Sequence, residues 1–141
     1  MWIVVRAIFS IFMNVSFVSE FGADGRCVRV ASVPTHDAIL TAHETGVLVL
    51  RSALDLSVVI ARAAVLDVHA LSEGTPAAPA CVYDTVVSAD QTWCIASAGD
   101  GVVCKTVRLA LPSLSFLDSV ASTALPARAL AISPDDAIMY V

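Results

Sequence analysis

The sequence predicts an all-β fold of antiparallel four-stranded units arranged as propeller blades, and three observations predict it. Short apolar runs rich in Val, Ile, Leu and Thr alternate with turn residues from Arg26 onward, the signature of strands rather than helices. No stretch of this region carries a sustained helical stripe with caps. A strand, polar tip and strand pattern also recurs. Pro34-Thr35-His36-Asp37, Ser88-Ala89-Asp90-Gln91 and Ser133-Pro134-Asp135-Asp136 precede strands opening at Ala38, Thr92 and Ala137. These openings lie 54 and then 45 residues apart, and a period of roughly 40 to 50 residues with four short strands per unit is that of a propeller blade.

The first unit reads as strands at Arg26 to Val33, Ala38 to Thr41, Val47 to Arg51 and Ser57 to Arg62. The second follows at Val82 to Val87, Trp93 to Ser97, Val102 to Leu109 and Ser115 to Val120, and a third begins at Arg128 to Ile132 and Ala137 to Val141. Inner strands are expected at Val82 to Val87 and Arg128 to Ile132, and outer edges at Ser57 to Arg62 and Ser115 to Val120. Thr45-Gly46 and Asp100-Gly101 each lie between apolar runs, where a tight hairpin needs positive φ. Ser133-Pro134-Asp135-Asp136 places Pro where its fixed φ starts a turn and Asp where its carboxylate caps the next amides. The stretch Ala70 to Pro79, small residues and prolines, reads as an inter-blade loop, with a flexible interdomain linker as the alternative.

The blades span about 26–70 and 79–121, with a third starting over 127–141, so the partial propeller occupies 23–141. Residues 1–22 form a separate apolar segment. Met1 to Val18 is apolar apart from Arg6, Ser10, Asn14 and Ser16, and three readings stand: a buried segment of the fold, a signal or membrane anchor, or a start foreign to the native fold. Phe17, Val18, Glu20 and Phe21 spoil the signal cleavage sites, and Arg6 leaves only Ala7 to Val18 uninterrupted against the roughly 20 apolar residues of a spanning helix. The sequon Asn14-Val15-Ser16 lies inside this apolar run and reads as chance.

Four blades are the minimum for a closed ring, which needs at least about 160 residues. The chain has 141. The expectation is an incomplete propeller: a fragment, or a chain that completes its ring or self-associates through open blade edges. Apolar residues make up 57% and charged residues 15%, which excludes extended disorder and leaves blade faces wanting neighbours. The balance of 8 Lys+Arg against 13 Asp+Glu, net −5, gives no counterion-release drive toward nucleic acid or an anionic membrane. Membrane association rests on residues 1–18 alone.

From Arg26 to Val141 the chain resembles the WD-repeat β-propellers. Ala129 to Val141 is similar to that family's inner strand, "SPD" tip and second strand, and Ala96 to Val103 to its second hairpin. Tyr140-Val141 after the tip is equally similar to a bacterial-type propeller repeat. Leu111-Pro112-Ser113-Leu114 is faintly similar to the propeller of an endoplasmic-reticulum small-GTPase exchange factor. No Gly-His precedes an inner strand and no Trp-Asp closes a third one, so the family's Asp-His-Ser/Thr-Trp network is carried over to no residue. The resemblance implies a non-catalytic scaffold that binds protein partners.

The search for chemistry agrees with that implication. Cys27, Cys81, Cys94 and Cys104 contain no CxxC pair or zinc spacing. Cys94 and Cys104 sit in apolar runs as buried thiols, a pattern that fits a cytoplasmic compartment, with a membrane-associated or secretory location as alternative and a disulfide still open. His36 and His43 stand at opposite ends of one strand and cannot share a metal; these two and His69 are expected at exposed turns or strand ends. Asp135-Asp136, and Asp55 with Asp67, read as loop solvation. Gly99-Asp100-Gly101 opens no helix, so it is no phosphate cradle; nucleophile elbows, phosphate loops and dinucleotide fingerprints are absent. No catalytic, metal or cofactor residue is assigned, and no cofactor is expected. The competing expectation is a piece of a propeller enzyme or cofactor-binding propeller with its active groups in other blades. Trp93 is expected in the core, with a partner-binding anchor as the alternative.

Overall fold

The computed structural model of the chain describes residues 24–67, 80–123, 127–135 and 138–140. They form an all-β architecture of two four-stranded antiparallel sheets and a short hairpin. The first sheet contains β1 (Cys27–Val33), β2 (Ala38–His43), β3 (Val47–Ser52) and β4 (Val59–Ala64), paired in chain order. The second contains β5 (Cys81–Val87), β6 (Trp93–Gly99), β7 (Cys104–Ala110) and β8 (Phe116–Thr123), again in chain order. β9 (Leu130–Ile132) pairs with β10 (Ile138–Tyr140). The described sheets do not close into a barrel, as expected of incomplete propeller-like blades.

The register explains the packing. Side chains opposite one another across a ladder share a face, so Leu40 with Leu50 and Ala42 with Leu48 form one apolar face of the first sheet. Cys94 with Leu109 and Ala96 with Val107 form the matching face of the second. These residues belong to a single buried cluster that also takes in Val33, Ala63 and Val82. Each fully buried leucine contributes about 1.5–3 kcal/mol on leaving water, so the inter-sheet layer is the main source of cohesion. β1 packs on β5 and β5 on β9. The first strand of each unit therefore lies innermost, while β4 and β8 carry exposed Val59, Ile60, Phe116 and Leu117 at the outside.

Polar ties cross between the units. The Arg29 Nε–H on β1 donates to Asp84 Oδ1 on β5 at 3.2 Å, and the same carboxylate accepts the Leu130 N–H of β9 at 2.8 Å. Lys105 Nζ donates to the Leu66 carbonyl at 3.1 Å. Gly46, at φ +79°, lets the β2–β3 turn approach the start of β5 so closely that a Cβ there would lie 2.6 Å from Ala80 Cβ.

Several strand limits differ from expectation, two of the starts for a visible local reason. β4 begins at Val59, not Ser57, because Asp55 Oδ1 accepts the Ser57 amide and hydroxyl and holds that residue in the turn. β7 begins at Cys104, not Val102, because Asp100 Oδ1 takes the Val102 and Val103 amides, each at 2.9 Å. β2 runs on past Thr41 to His43, which pairs with Cys27. The expected loop at Ala70 to Pro79, the segment 1–22, His69, Asp136, Ala137 and Val141 lie outside the described residues.

Candidate interaction surface

Strands that alternate in direction send every second connection to the same end of a sheet. In the first sheet these are the loops 34–37 and 53–58, and in the second 88–92 and 111–115. The Thr35 amide and hydroxyl both donate to Gln91 Oε1 at 2.8 Å, which brings the two sets together into one end surface. The repeat anticipated at the tips is visible in the backbone: Asp37 and Gln91 each adopt a left-handed φ, +46° and +59°, just before the second strand of their unit.

Local hydrogen bonding fixes these tips. Ser88 Oγ–H donates to Asp90 Oδ1 at 2.7 Å and accepts the Trp93 amide at 3.2 Å, while Asp90 also accepts the Thr92 amide at 3.0 Å. The Ser88 hydroxyl, then the Thr92 amide and hydroxyl, hold the Asp90 carboxyl below the usual carboxylate range. The Ser57 hydroxyl and amide do the same for Asp55. Both carboxylates are therefore charged at neutral pH and fully open to water. Beside them Leu54 is 88% exposed and Val58 49%. No Lys or Arg occurs in the loops 34–37, 53–58, 88–92 and 111–115.

Trp93 corrects the core expectation. Its ring is half-buried beneath Arg108, whose guanidinium lies 5.2 Å from the ring centroid. Arg108 Nε donates to Asp118 Oδ1 at 3.1 Å and Nη2 to Oδ2, so the tryptophan belongs to a layered surface ladder running from β6 to β8.

His43 corrects the histidine expectation more sharply. It is fully buried on the face of the first sheet turned away from the inter-sheet core, on the same side as Thr41, Arg51 and Arg62. Its Nδ1 lies 3.0 Å from the Gly25 carbonyl and its Nε2 2.9 Å from Thr41 Oγ1. Asp24, also buried, receives Arg51 Nη2 at Oδ2, 3.3 Å away, and Arg62 Nη2 at Oδ1. Burial pushes the His43 pKa down, an effect opposed by the Gly25 hydrogen bond and by Asp24. His36 is part-exposed in the tip turn, as anticipated. The one sequence signal of the buried cluster was two arginines, Arg51 and Arg62, set inside otherwise apolar strands.

The cysteines divide as read: Cys94 and Cys104 are buried, Cys27 and Cys81 half-buried, and all four are free. Burial pushes the Cys94 thiol up to about 12 and raises Cys27, so neither is an activated nucleophile. Asp55 and Asp67 lie in separate exposed turns; Asp100 caps its own hairpin. Among the described residues no group of three or more His, Cys, Asp and Glu side chains is placed to hold a metal ion. No helix among them is long and apolar enough to cross a membrane. What the tip surface offers is hydrogen-bonded loops, ionised carboxylates and exposed apolar side chains. Comparison with known proteins adds no relative, since no family model and no curated protein matches the chain.

Proposed function

We propose that this chain is a non-catalytic protein-interaction module of WD-repeat propeller type that engages its partner through the tip surface. The observation that carries the reading is the joining of the two sets of tips by the Thr35–Gln91 hydrogen bonds, which makes one rigid platform from two blades. A preorganised platform loses little conformational freedom on association. Leu54 and Val58 supply apolar contact, and Asp37, Asp55 and Asp90 form an acidic rim. That combination suits a partner presenting an apolar recess bordered by Lys or Arg, since rim charges set orientation and on-rate while buried apolar anchors set affinity.

The test is crosslinking mass spectrometry on the full chain with its captured partner, alongside the Leu54→Asp variant. Leu54 is so exposed that its replacement leaves the fold intact. Crosslinks concentrated on loops 34–37, 53–58 and 88–92, with affinity for that partner falling about tenfold or more in Leu54→Asp, are expected. Crosslinks confined to β4 and β8, or a Leu54→Asp variant that binds as tightly as the wild type, would overturn the assignment.

A further inference from the structure

We propose that residues 1–22 of this chain cover the outer face of the first sheet, docking on Ile39, Val47 and Val49 as an intramolecular cap. The register divides β2 and β3 between two faces. Ala38, Leu40, Ala42, Leu48 and Leu50 belong to the inter-sheet cluster. The residues between them, Ile39, Thr41 and Val49, point the other way, as do Val47 and Ala64, paired with each other across β3 and β4. Ile39, Val47, Val49 and Ala64 lie outside the inter-sheet cluster, yet each is between 0% and 6% exposed. A bare sheet face would leave them open to water, so this face is covered. The strands read accordingly: Ala38 to Leu40 and Val47 to Leu50 are continuous apolar runs, the pattern of strands buried on both sides.

The described strands do not supply that cover. Among the described residues β2 and β3 touch their sheet neighbours, the turn 34–36 and β5, and β5 packs from the inter-sheet side, with Val82 in that cluster. The β9–β10 hairpin packs through β9 on β5 and β6 instead. The connection 68–79 starts beyond Leu66, which packs against the inter-sheet cluster, and rejoins the described chain at Ala80 beside Gly46. Both its ends therefore lie toward the second sheet.

The turn Asp24–Arg26 does reach the outer face. The Gly25 carbonyl lies 3.0 Å from His43 Nδ1, and Thr45 Oγ1 donates to the Asp24 carbonyl. The Asp24 carboxylate, itself buried, receives Arg51 and Arg62. The chain that precedes Asp24 thus enters at this face. Its composition suits the place: Met1 to Val18 carries one charged residue, Arg6, and the face it would meet is apolar apart from groups that are hydrogen-bonded already, Thr41 to His43 among them. Its length suffices, because four strands about 4.8 Å apart span about 15 Å, which about five extended residues cross. Drawing the segment away into a membrane would return Ile39, Val47 and Val49 to water.

Methyl NMR of the full chain tests the cap without a variant. Nuclear Overhauser contacts are expected from the Ile39, Val47 and Val49 methyls to residues 1–22, and they should persist when labelled chain is diluted into unlabelled chain. A soluble paramagnetic probe should broaden these methyls no more than those of Leu40 and Leu48. Broadening threefold or more above Leu40 and Leu48 would overturn the proposal. So would contacts that appear only between labelled and unlabelled copies, which would make a second chain the cover. Phosphatidylcholine vesicles supply the third arm: the contacts should survive their addition, and co-flotation of the chain with loss of the contacts would assign the segment to lipid and refute the cap.

Discussion

Replacing Asp84 by alanine should separate the units of this fold more than any other single surface-accessible change. Its side chain is 14% exposed, and its two oxygens serve different neighbours: Oδ1 takes Arg29 of β1 and the Thr85 amide, Oδ2 takes the Leu130 amide of β9. The Arg29 side chain is 54% exposed, so screening limits that pair to about 0.2–1 kcal/mol. The Leu130 amide is the larger effect. Its residue is buried, and stranding a buried donor costs about 1–3 kcal/mol. Asp84→Ala should therefore lose about 2–3 kcal/mol in urea unfolding, and exchange of the Leu130 amide should accelerate. Asp84→Asn keeps an oxygen for Leu130 but turns an NH2 donor toward Arg29 and the Thr85 amide, so it should lose less stability than the alanine variant, by about 1–2 kcal/mol. An alanine variant within about 0.5 kcal/mol of wild type, which is the usual scale of a neutral surface change, would refute the reasoning. So would an asparagine variant as damaged as the alanine one.

Two further outcomes follow from the same structure. Gly46→Ala combines a left-handed φ of +79° with a Cβ 2.6 Å from Ala80, and should cost about 2–4 kcal/mol from backbone strain plus overpacking. Gly101→Ala, at φ +92° in open space, should show only the strain of about 1–2 kcal/mol, so the difference in urea midpoints reports the approach of the two units. Alkaline pH should weaken the fold through Cys94, whose thiol is pushed up to about 12 from 9.0. A raised folded-state pKa gives stability that is complete below pH 9 and is lost as pH rises toward 12, at up to about 1.4 kcal/mol per unit. Comparing wild type with Cys94→Ala at pH 8 and 10.5 isolates that contribution; equal losses in both would contradict it.

Strand order and pairing were legible because they depend on local features. The alternation of apolar runs with tip residues placed β1 to β8 in the order observed, and Gly46 and Gly101 both adopt the positive φ expected of them. The starts of β4 and β7 were set by side chains competing with the ladder. Asp55 and Asp100 each captured amides that a strand would have used, a choice that apolar content cannot reveal. The misread residues have partners far away in the chain. His43 is buried because Gly25, 18 positions earlier, folds over it, and Asp24 meets Arg62 across 38 positions. Trp93 is held at the surface by Arg108 and Asp118, a row created only by the β6–β7–β8 register. Sequence periodicity says which residues alternate; it does not say what stands opposite them.

The two four-stranded sheets meet with their first strands adjacent and their tips joined. Nuclear Overhauser contacts in the full chain test this arrangement most directly. Contacts are predicted between Thr35 and Gln91, between Arg29 and Asp84, and between Gly46 and Ala80. Cross-strand contacts within each sheet, with none between those three pairs, would contradict it.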